Sequence, residues 1–456
     1  MVDEYDSVVC IVGLGPAGIG AAVTLSKSTR AYRILCLDAG GSPRARHCSV
    51  LQQSDCNRER PCNMISGFGG CSLLGGGKVS DFPAGSGLAS ILGSVQSARE
   101  KLSEALGFLS DYVSLIEPDV TLTEIEKAEE YYGKQGFEFR YYDVHLYNQR
   151  ELAIGYGRMM KELMSNGVSV HLNSEVTSID LTEDGFKIVA TEGRSTISVL
   201  AKYLVLGVGR LGLDFLRSLN AKLGLDGEEN HLDVGVRLEF PTELVPDLSR
   251  PHGDLKLTFG DARTFCVCRD GKIAPYLLGD TYFADGHLAL DYQTGLTNLG
   301  ILVRLPPSGE NEGISEEVRS RVRALSGGNL VYQTLSDFLG VQGQDSRNLY
   351  EPRRSIRLGQ YGNVNQCFPE GISRRIKEAV RRFSSRFLPT AKWDVVWVFA
   401  PSMDYAGLLF PVGKDFSIAS RLYMIGDCTG RFRGILQALC SGIICGESII
   451  GDAHEK

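Results

Sequence analysis

The sequence predicts an α/β fold: a Rossmann-like domain assembled from discontinuous segments, with a β-rich domain inserted into it. Three observations predict this. An apolar run ending at Val12 enters Gly13-Leu14-Gly15-Pro16-Ala17-Gly18 and then a small-residue helix. A second Gly-x-Gly-x-x-Gly, Gly207 to Gly212, follows the apolar strand Tyr203-Leu204-Val205-Leu206. A third glycine turn, Gly426-Asp427 to Gly434, closes one more strand and opens one more small-residue helix.

The first turn carries the most chemistry. Glycines at Gly13, Gly15 and Gly18 permit a tight turn and close backbone approach to a pyrophosphate, with the helix behind Pro16 and Ala17 aiming its N–H groups at it. A second strand, Arg33 to Asp38, ends in an acid about 20 residues after the last glycine, where a ribose hydroxyl is expected. Asp38 and Ala39 complete this end of a dinucleotide site.

The chain then reaches a segment dense in glycine, Gly67-Phe68-Gly69-Gly70-Cys71-Ser72-Leu73-Leu74-Gly75-Gly76-Gly77-Lys78. Such a run builds no packed element alone and suits backbone lying against a flat ligand. Residues 96–135 read as helical. A helix from Arg150 to Gly167, a strand Val168 to Leu172, a hairpin Val176 to Ala190 around Asp184-Gly185 and a strand Ser195 to Leu200 follow. Gly207 to Gly212 then has two readings: the return strand of the first domain, or the opening of a nicotinamide domain. The second needs another strand with a terminal acid or arginine and further βα units. The segment Asp233 to Glu239 and its hydrophilic β-like successors favour the return strand. Residues 240–395 show short strands, polar turns and few helices before about 370, with Leu305 to Ile314 as a surface loop.

The domain reading is therefore 1–95, 146–235 and 396–456 for the dinucleotide domain, 96–145 for a helical insertion and 236–395 for a substrate domain. Net charge is −7, which argues against a nucleic-acid partner. The basic run Ile372 to Phe387 carries apolar residues at helical spacing, an amphipathic helix. No membrane span is read, and a strand this near the first residue leaves no room for a signal peptide. Twelve cysteines in that setting point to free thiols in the cytoplasm.

The Gly426-Asp427 turn resembles the second FAD motif of the glutathione-reductase-like flavoproteins, as does a three-stranded meander used as a crossover. That resemblance implies FAD, with Asp427 on a ribityl hydroxyl and the helix from Gly434 and Ile435 facing the flavin. Nearly the whole chain resembles the uncharacterised FAD-dependent dehydrogenases. Their Gly-x-Gly-Gly-Ala-Gly-x-Phe-Ser-Asp-Gly-Lys segment lines up with Gly67 to Lys78, their Gly-Arg-x-Gly with Gly209 to Gly212, and their Asp-Ile-Gly-Val-Arg-x-Glu with Asp233 to Glu239. Their Arg-Thr-Phe-Cys matches Arg263 to Cys266, their Arg-Arg-Ser Arg353 to Ser355, and their terminal Gly-Asp motif Gly426 to Ala438. This chain departs at Gly75-Gly76, where the family has Ser-Asp, and at Cys71-Ser72, where it has Ala-Gly.

The resulting expectations are an FAD-dependent oxidoreductase accepting hydride from a small, anionic metabolite. An NAD(P)H-dependent flavin monooxygenase and a non-redox flavoprotein or isomerase are the alternatives. Lys78, Cys71 and Arg237 are the catalytic candidates. Gly13, Gly15, Pro16, Ala17, Gly18, Asp38, Ala39, Gly69, Gly70, Lys78, Val176, Gly207, Gly209, Gly426, Asp427, Gly434 and Ile435 are the cofactor candidates. Arg263, Arg353 and Arg354 are candidate carboxylate forks, each with structural pairing to an acid as its alternative. No metal site is expected: His47, Cys48, Cys56 and Cys62 lack a tight pair. His145 and His287 are candidate acid–base residues, with a structural role as the alternative that a lone histidine more often fills.

Overall fold

The computed structural model describes residues 8–28, 32–245, 253–288, 290, 293–341, 353–405 and 407–452. In chain order the elements that matter are β1 (Val8–Val12), α1 (Pro16–Ser26), β2 (Arg33–Asp38), α2 (Gln149–Ser165), β3 (Ser169–Leu172), β4 (Ser174–Leu181), β5 (Phe186–Glu192), β6 (Ser195–Ala201) and β7 (Tyr203–Leu206). They are followed by β8 (Leu232–Pro241), β9 (Lys256–Phe259), β10 (Ala262–Cys268), β11 (Lys272–Leu278), β12 (Thr281–His287), β13 (Leu296–Leu305), β14 (Val331–Thr334), β15 (Trp397–Tyr405), β16 (Leu422–Met424) and α3 (Ile435–Asp452).

Two sheets organise the molecule. In the first, β16, β7, β1, β2 and β3 lie side by side and parallel, with Ser417–Ala419 antiparallel on the outer edge. Strands buried on both faces need continuous apolar residues, and Val9, Cys10, Ile11, Leu204, Val205 and Leu206 are buried. β4, β5 and β6 form the antiparallel meander that crosses from β3 to β7. β7 pairs with β1, Val9 opposite Tyr203, so Gly207 to Gly212 ends a return strand of this sheet.

α1 and α3 cross at near-backbone contact. A Cβ on Gly442 would overlap the Ala17 carbonyl oxygen, and one on Gly20 would lie 2.6 Å from the Leu439 oxygen. Contrary to the sequence expectation, α3 is long and apolar enough to cross a membrane by length and composition; 56% of it is buried inside the fold, on α1 and residues 95–110.

The second sheet has eight strands in the order Gln360–Tyr361, β14, β15, β8, β13, β10, β9, Glu138–Arg140. β8 sits centrally, antiparallel to β13 and β15. Its alternation is strict. Leu232, Val234, Val236, Leu238 and Phe240 enter the second core, with the amphipathic helix Glu370–Phe387 behind it. Asp233, Arg237 and Glu239 occupy the opposite face and are also buried. The apolar face secures the strand, and the polar face takes charge into the boundary between the sheets.

Three segments differ from expectation. β15 belongs to the second sheet, so the β-rich body runs to Tyr405 rather than 395. Residues 96–145 are not one helical insertion: 95–110 packs on the first core, while Ala128, Tyr132, Phe137 and Phe139 enter the second. A helix over Asn311–Ser326 occupies the region read as nearly helix-free and takes in the end of the expected loop. Its Ser315, Val318 and Val322 repeat at helical spacing and are buried. Residues 1–7, ahead of β1, lie outside the described residues.

Candidate functional site

The glycine turns meet at the carboxyl edge of the parallel sheet. The Gly13 N–H donates to the Leu37 carbonyl at 2.8 Å, Gly207 N–H to Val12 at 2.8 Å, and Ile425 N–H to Leu206 at 2.9 Å. Consecutive strand ends therefore release Gly13, Gly207 and Gly426 side by side, at the crevice where open α/β sheets bind ligands. A Cβ on Gly18 would overlap the Gly13 carbonyl oxygen, which fixes the tightness of the first turn. α1 starts with Gly15 at its N-cap and Pro16 behind it, with no side-chain cap and no acid in its first turn. Its leading N–H groups are thus left for an anion.

Asp38 is buried against this turn. One carboxylate oxygen accepts the Leu14 N–H at 2.7 Å and the other the Gly40 N–H at 2.8 Å. Burial pushes its carboxyl up, against the pull of both N–H groups and Arg46. With the Gly67 N–H as a third backbone donor, the carboxylate keeps about one lone pair for a sugar hydroxyl. Ala39 beside it is half-buried.

The Gly67–Gly70 segment lies across the turn. Gly69 N–H donates to the Leu14 carbonyl at 2.7 Å, and Gly70 packs on Gly15. Arg46 holds it there: its guanidinium donates to the carbonyls of Asn63 at 2.8 Å, Phe68 at 2.9 Å and Gly70 at 2.7 Å. Burial lowers its pKa to about 10. No sequence signal distinguishes Arg46 from its neighbour Arg44, because its acceptors are backbone atoms of a loop some 20 residues away.

Cys71 follows in a single turn, Gly70–Ser72, with its thiol accessible though protein surrounds it. Burial raises its pKa, with Asp427, Arg210, Arg433 and Asp285 all within electrostatic reach. These side chains gather where the two sheets meet. Arg210 lies 3.5 Å from Asp427 and 3.4 Å from Asp404, and Arg433 also pairs with Asp404. Arg433 has its pKa lowered to about 9 by burial and by Arg210. Asp404 carries the network on to Arg263 at 2.8 Å, and Arg263 pairs with Asp233 at 2.7 Å. Arg263 is thus a structural fork, but on Asp233 and Asp404. Arg354 stacks 4.1 Å over the Tyr332 ring, and Arg353 is exposed.

Gly209 leads from β7 to Arg210, and Gly434 precedes Ile435 at the start of α3. The Gly434 N–H bonds Asp427, whose carboxyl is raised by burial and held down by Arg210. Val176 is half-buried in β4, opposite Ala190.

Two catalytic expectations need correction. Lys78 turns its ammonium toward β10. It is buried with Nζ 3.2 Å from Asp254 and 2.6 Å from the Val267 carbonyl. Burial opposes its charge, but Asp254 and the Cys266 and Cys268 sulfurs raise its pKa above the usual lysine range. Two of the three ammonium donors of Lys78 are thereby committed to Asp254 and Val267. Arg237 is wholly buried and donates to the Cys266 carbonyl at 3.0 Å, Asn298 at 2.6 Å and Asp285 at 3.2 Å. Both residues donate to backbone carbonyls of β10. What they position, the pair Cys266 and Cys268, was visible only as a Cys-x-Cys spacing in the Arg-Thr-Phe-Cys segment.

A pocket lined by His47, Cys48, Cys56, Cys62 and Tyr282 shares no residue with the glycine turns. Among the described residues no cluster of three or more His, Cys, Asp or Glu is placed to hold a metal ion. His145 lies 3.0 Å from Glu117, and His287 is buried.

No known family model matches the chain. It is similar to an uncharacterized protein of Clostridium beijerinckii, 22% identical over 322 residues, covering 64% of this chain and 58% of the relative. The chain thus spans under two thirds of that relative's length. Similar solved structures include p-nitrophenol 4-monooxygenase PnpA from Pseudomonas putida (TM-score 0.41, 14% identity, 99% of this chain and 82% of that one). A flavoprotein/dehydrogenase from Cytophaga hutchinsonii scores 0.41 at 11% identity, covering 99% of this chain and 80% of that one. The Diels-Alderase PyrE3 scores 0.40 at 14% identity, covering 98% of this chain and 66% of that one. At these scores the α/β assignment rests on the strand order described above.

Proposed function

We propose that this chain is an FAD-dependent oxidoreductase acting on a small anionic metabolite. The observation that carries the reading is the convergence of three glycine turns and the Gly67–Gly70 segment on one edge of a parallel sheet. The uncapped start of α1 and Asp38 fit the pyrophosphate and ribose of an adenine dinucleotide. Asp427 fits a ribityl hydroxyl, and the positive end of α3 favours negative charge on a flavin ring. FAD would supply the hydride chemistry. The chain supplies orientation, a cleft that limits water, and the cations Arg210 and Arg433 for an anionic substrate.

A dehydrogenase or oxidase and an NAD(P)H-dependent monooxygenase are the two readings, and the anaerobic screen below decides between them. The second Gly-x-Gly-x-x-Gly ends a strand of the first sheet, and no further parallel sheet occurs among the described residues. Purified protein should release FAD, not FMN, on denaturation; FMN or no flavin rejects the cofactor. In an anaerobic screen, bleaching by a metabolite alone supports the dehydrogenase. Rapid bleaching by NADH or NADPH alone selects the monooxygenase.

A further inference from the structure

Cys266 and Cys268 sit in β10 with their sulfurs 3.8 Å apart. In a straight strand, residues i and i+2 have Cα atoms about 6.6 Å apart, at the far limit of disulfide geometry. β10 is not straight there. Its pairing with β13 shifts register between Phe265 and Cys268, and Cys266 has φ +44°, in the left-handed region a non-glycine residue rarely adopts. The bulge turns the two thiols toward each other.

Three buried side chains hold this conformation. Arg237 donates to the Cys266 carbonyl at 3.0 Å, Lys78 donates to the Val267 carbonyl at 2.6 Å, and Asp254 accepts the Val267 N–H at 2.9 Å. Charged groups so committed to one strained tripeptide argue that its shape is maintained rather than tolerated. The two cysteines are also unlike: Cys266 is partly accessible and Cys268 is buried. A hydrogen bond from Cys268 lowers the Cys266 pKa against burial, with help from Lys78 and Arg237 and opposition from Asp285. The Cys268 thiol is correspondingly raised.

We infer that Cys266 and Cys268 form a redox-active dithiol that exchanges with low-molecular-weight disulfides, Cys266 attacking and Cys268 resolving. The Cys266 thiolate attacks one sulfur of the disulfide, forming a mixed disulfide and releasing one thiolate. Cys268 loses its proton and attacks the Cys266 sulfur, forming the intramolecular disulfide and releasing the second thiolate. The protein dithiol is oxidised by two electrons, and the small disulfide is reduced to two thiols. The lysine beside the pair is a positioning residue that also favours the thiolate. The inference is independent of the flavin reading.

The test uses the full chain equilibrated anaerobically with oxidised and reduced glutathione, acid-quenched, alkylated and mapped by peptide mass spectrometry. The expected result is one disulfide, Cys266–Cys268, that forms reversibly, with Cys266 alkylating at least tenfold faster than Cys268 at neutral pH. Cys268→Ser should keep that fast alkylation and stop at the glutathione mixed disulfide; Cys266→Ser should give neither product. Lys78→Met should move the pH profile of Cys266 alkylation upward, with Lys78→Arg restoring it. The groups facing Cys266 in that profile are Cys268, Lys78, Asp285, Arg237, Tyr142 and Lys256. Melting curves establish that the variants are folded. Cys266 and Cys268 remaining reduced in excess oxidised glutathione, or a disulfide that joins other cysteines, would overturn the inference.

Discussion

The two sheets meet at one boundary and present different chemistry to it. The parallel sheet presents backbone: the leading N–H groups of α1 and the glycine turns after β1, β7 and β16. The antiparallel sheet presents side chains: Asp233, Arg237, Glu239, Arg263 and Asp404, most of them buried and paired. Backbone recognition needs only that side chains stay out of the way, so it leaves its mark as glycine. Side-chain recognition depends on partners far along the chain, such as Arg263 with Asp404, 141 residues away.

The sharpest way to break this contrast is Gly15→Val. A Cβ at Gly15 has open space around it, the nearest atom being the Gly70 Cα at 3.9 Å. The added side chain would enter the ligand crevice without disturbing the fold. Flavin content, read from absorbance after denaturation, should fall at least tenfold while circular dichroism is unchanged; full occupancy would remove backbone recognition from this turn. Arg46→Met comes next, because it strips the donors from the carbonyls of Asn63, Phe68 and Gly70, the middle one buried and the others half-buried. Losing charged hydrogen bonds of this kind costs about 3 kcal/mol, read by urea unfolding of the apoprotein. A loss no larger than a surface substitution would show that the glycine segment holds itself in place.

Glu239 sharpens the other side. Burial raises its carboxyl to about 7, against the Ser355 N–H and nearby Arg354 and Arg237. The folded state therefore binds its proton more tightly than the unfolded chain. Stability should decline as pH rises from about 4.5 to about 7, by up to ~3 kcal/mol. Glu239→Gln should flatten that part of the urea-unfolding pH profile, and an unchanged slope would assign it to other groups. The smallest effect is expected at Arg304. It lies 2.8 Å from Asp233 but is half-exposed, and Asp233 retains Arg263. Arg304→Met should cost less than about 1 kcal/mol, and a much larger loss would mean that the rim of the charge network carries weight.

Legibility in the sequence follows the same division. The turn at Gly13 to Gly18, the meander and the return strand β7 were readable because glycine demands, alternation and hairpin signals are local. Lys78 was located but its direction was not, since Asp254 lies 176 residues on. The end of the β-rich body was misplaced because β15 reads as an apolar strand suited to either sheet. The Cys266–Cys268 pair was within reach: a Cys-x-Cys beside a motif arginine is a local pattern, but its bulge is set by pairing with β13.

The contact between α1 and α3 bears on how the chain acquires its shape. β1 meets β2 early, but its other neighbour comes only after about 190 further residues, since β7 begins at Tyr203. β16 and α3 arrive more than 200 residues later still. On the ribosome, the first helix has no partner for its glycine face until the helix at Ile435–Asp452 emerges. The open edge of the first strand must meanwhile stay clear of other chains, and the ligand crevice is completed only once β16 and α3 have been made.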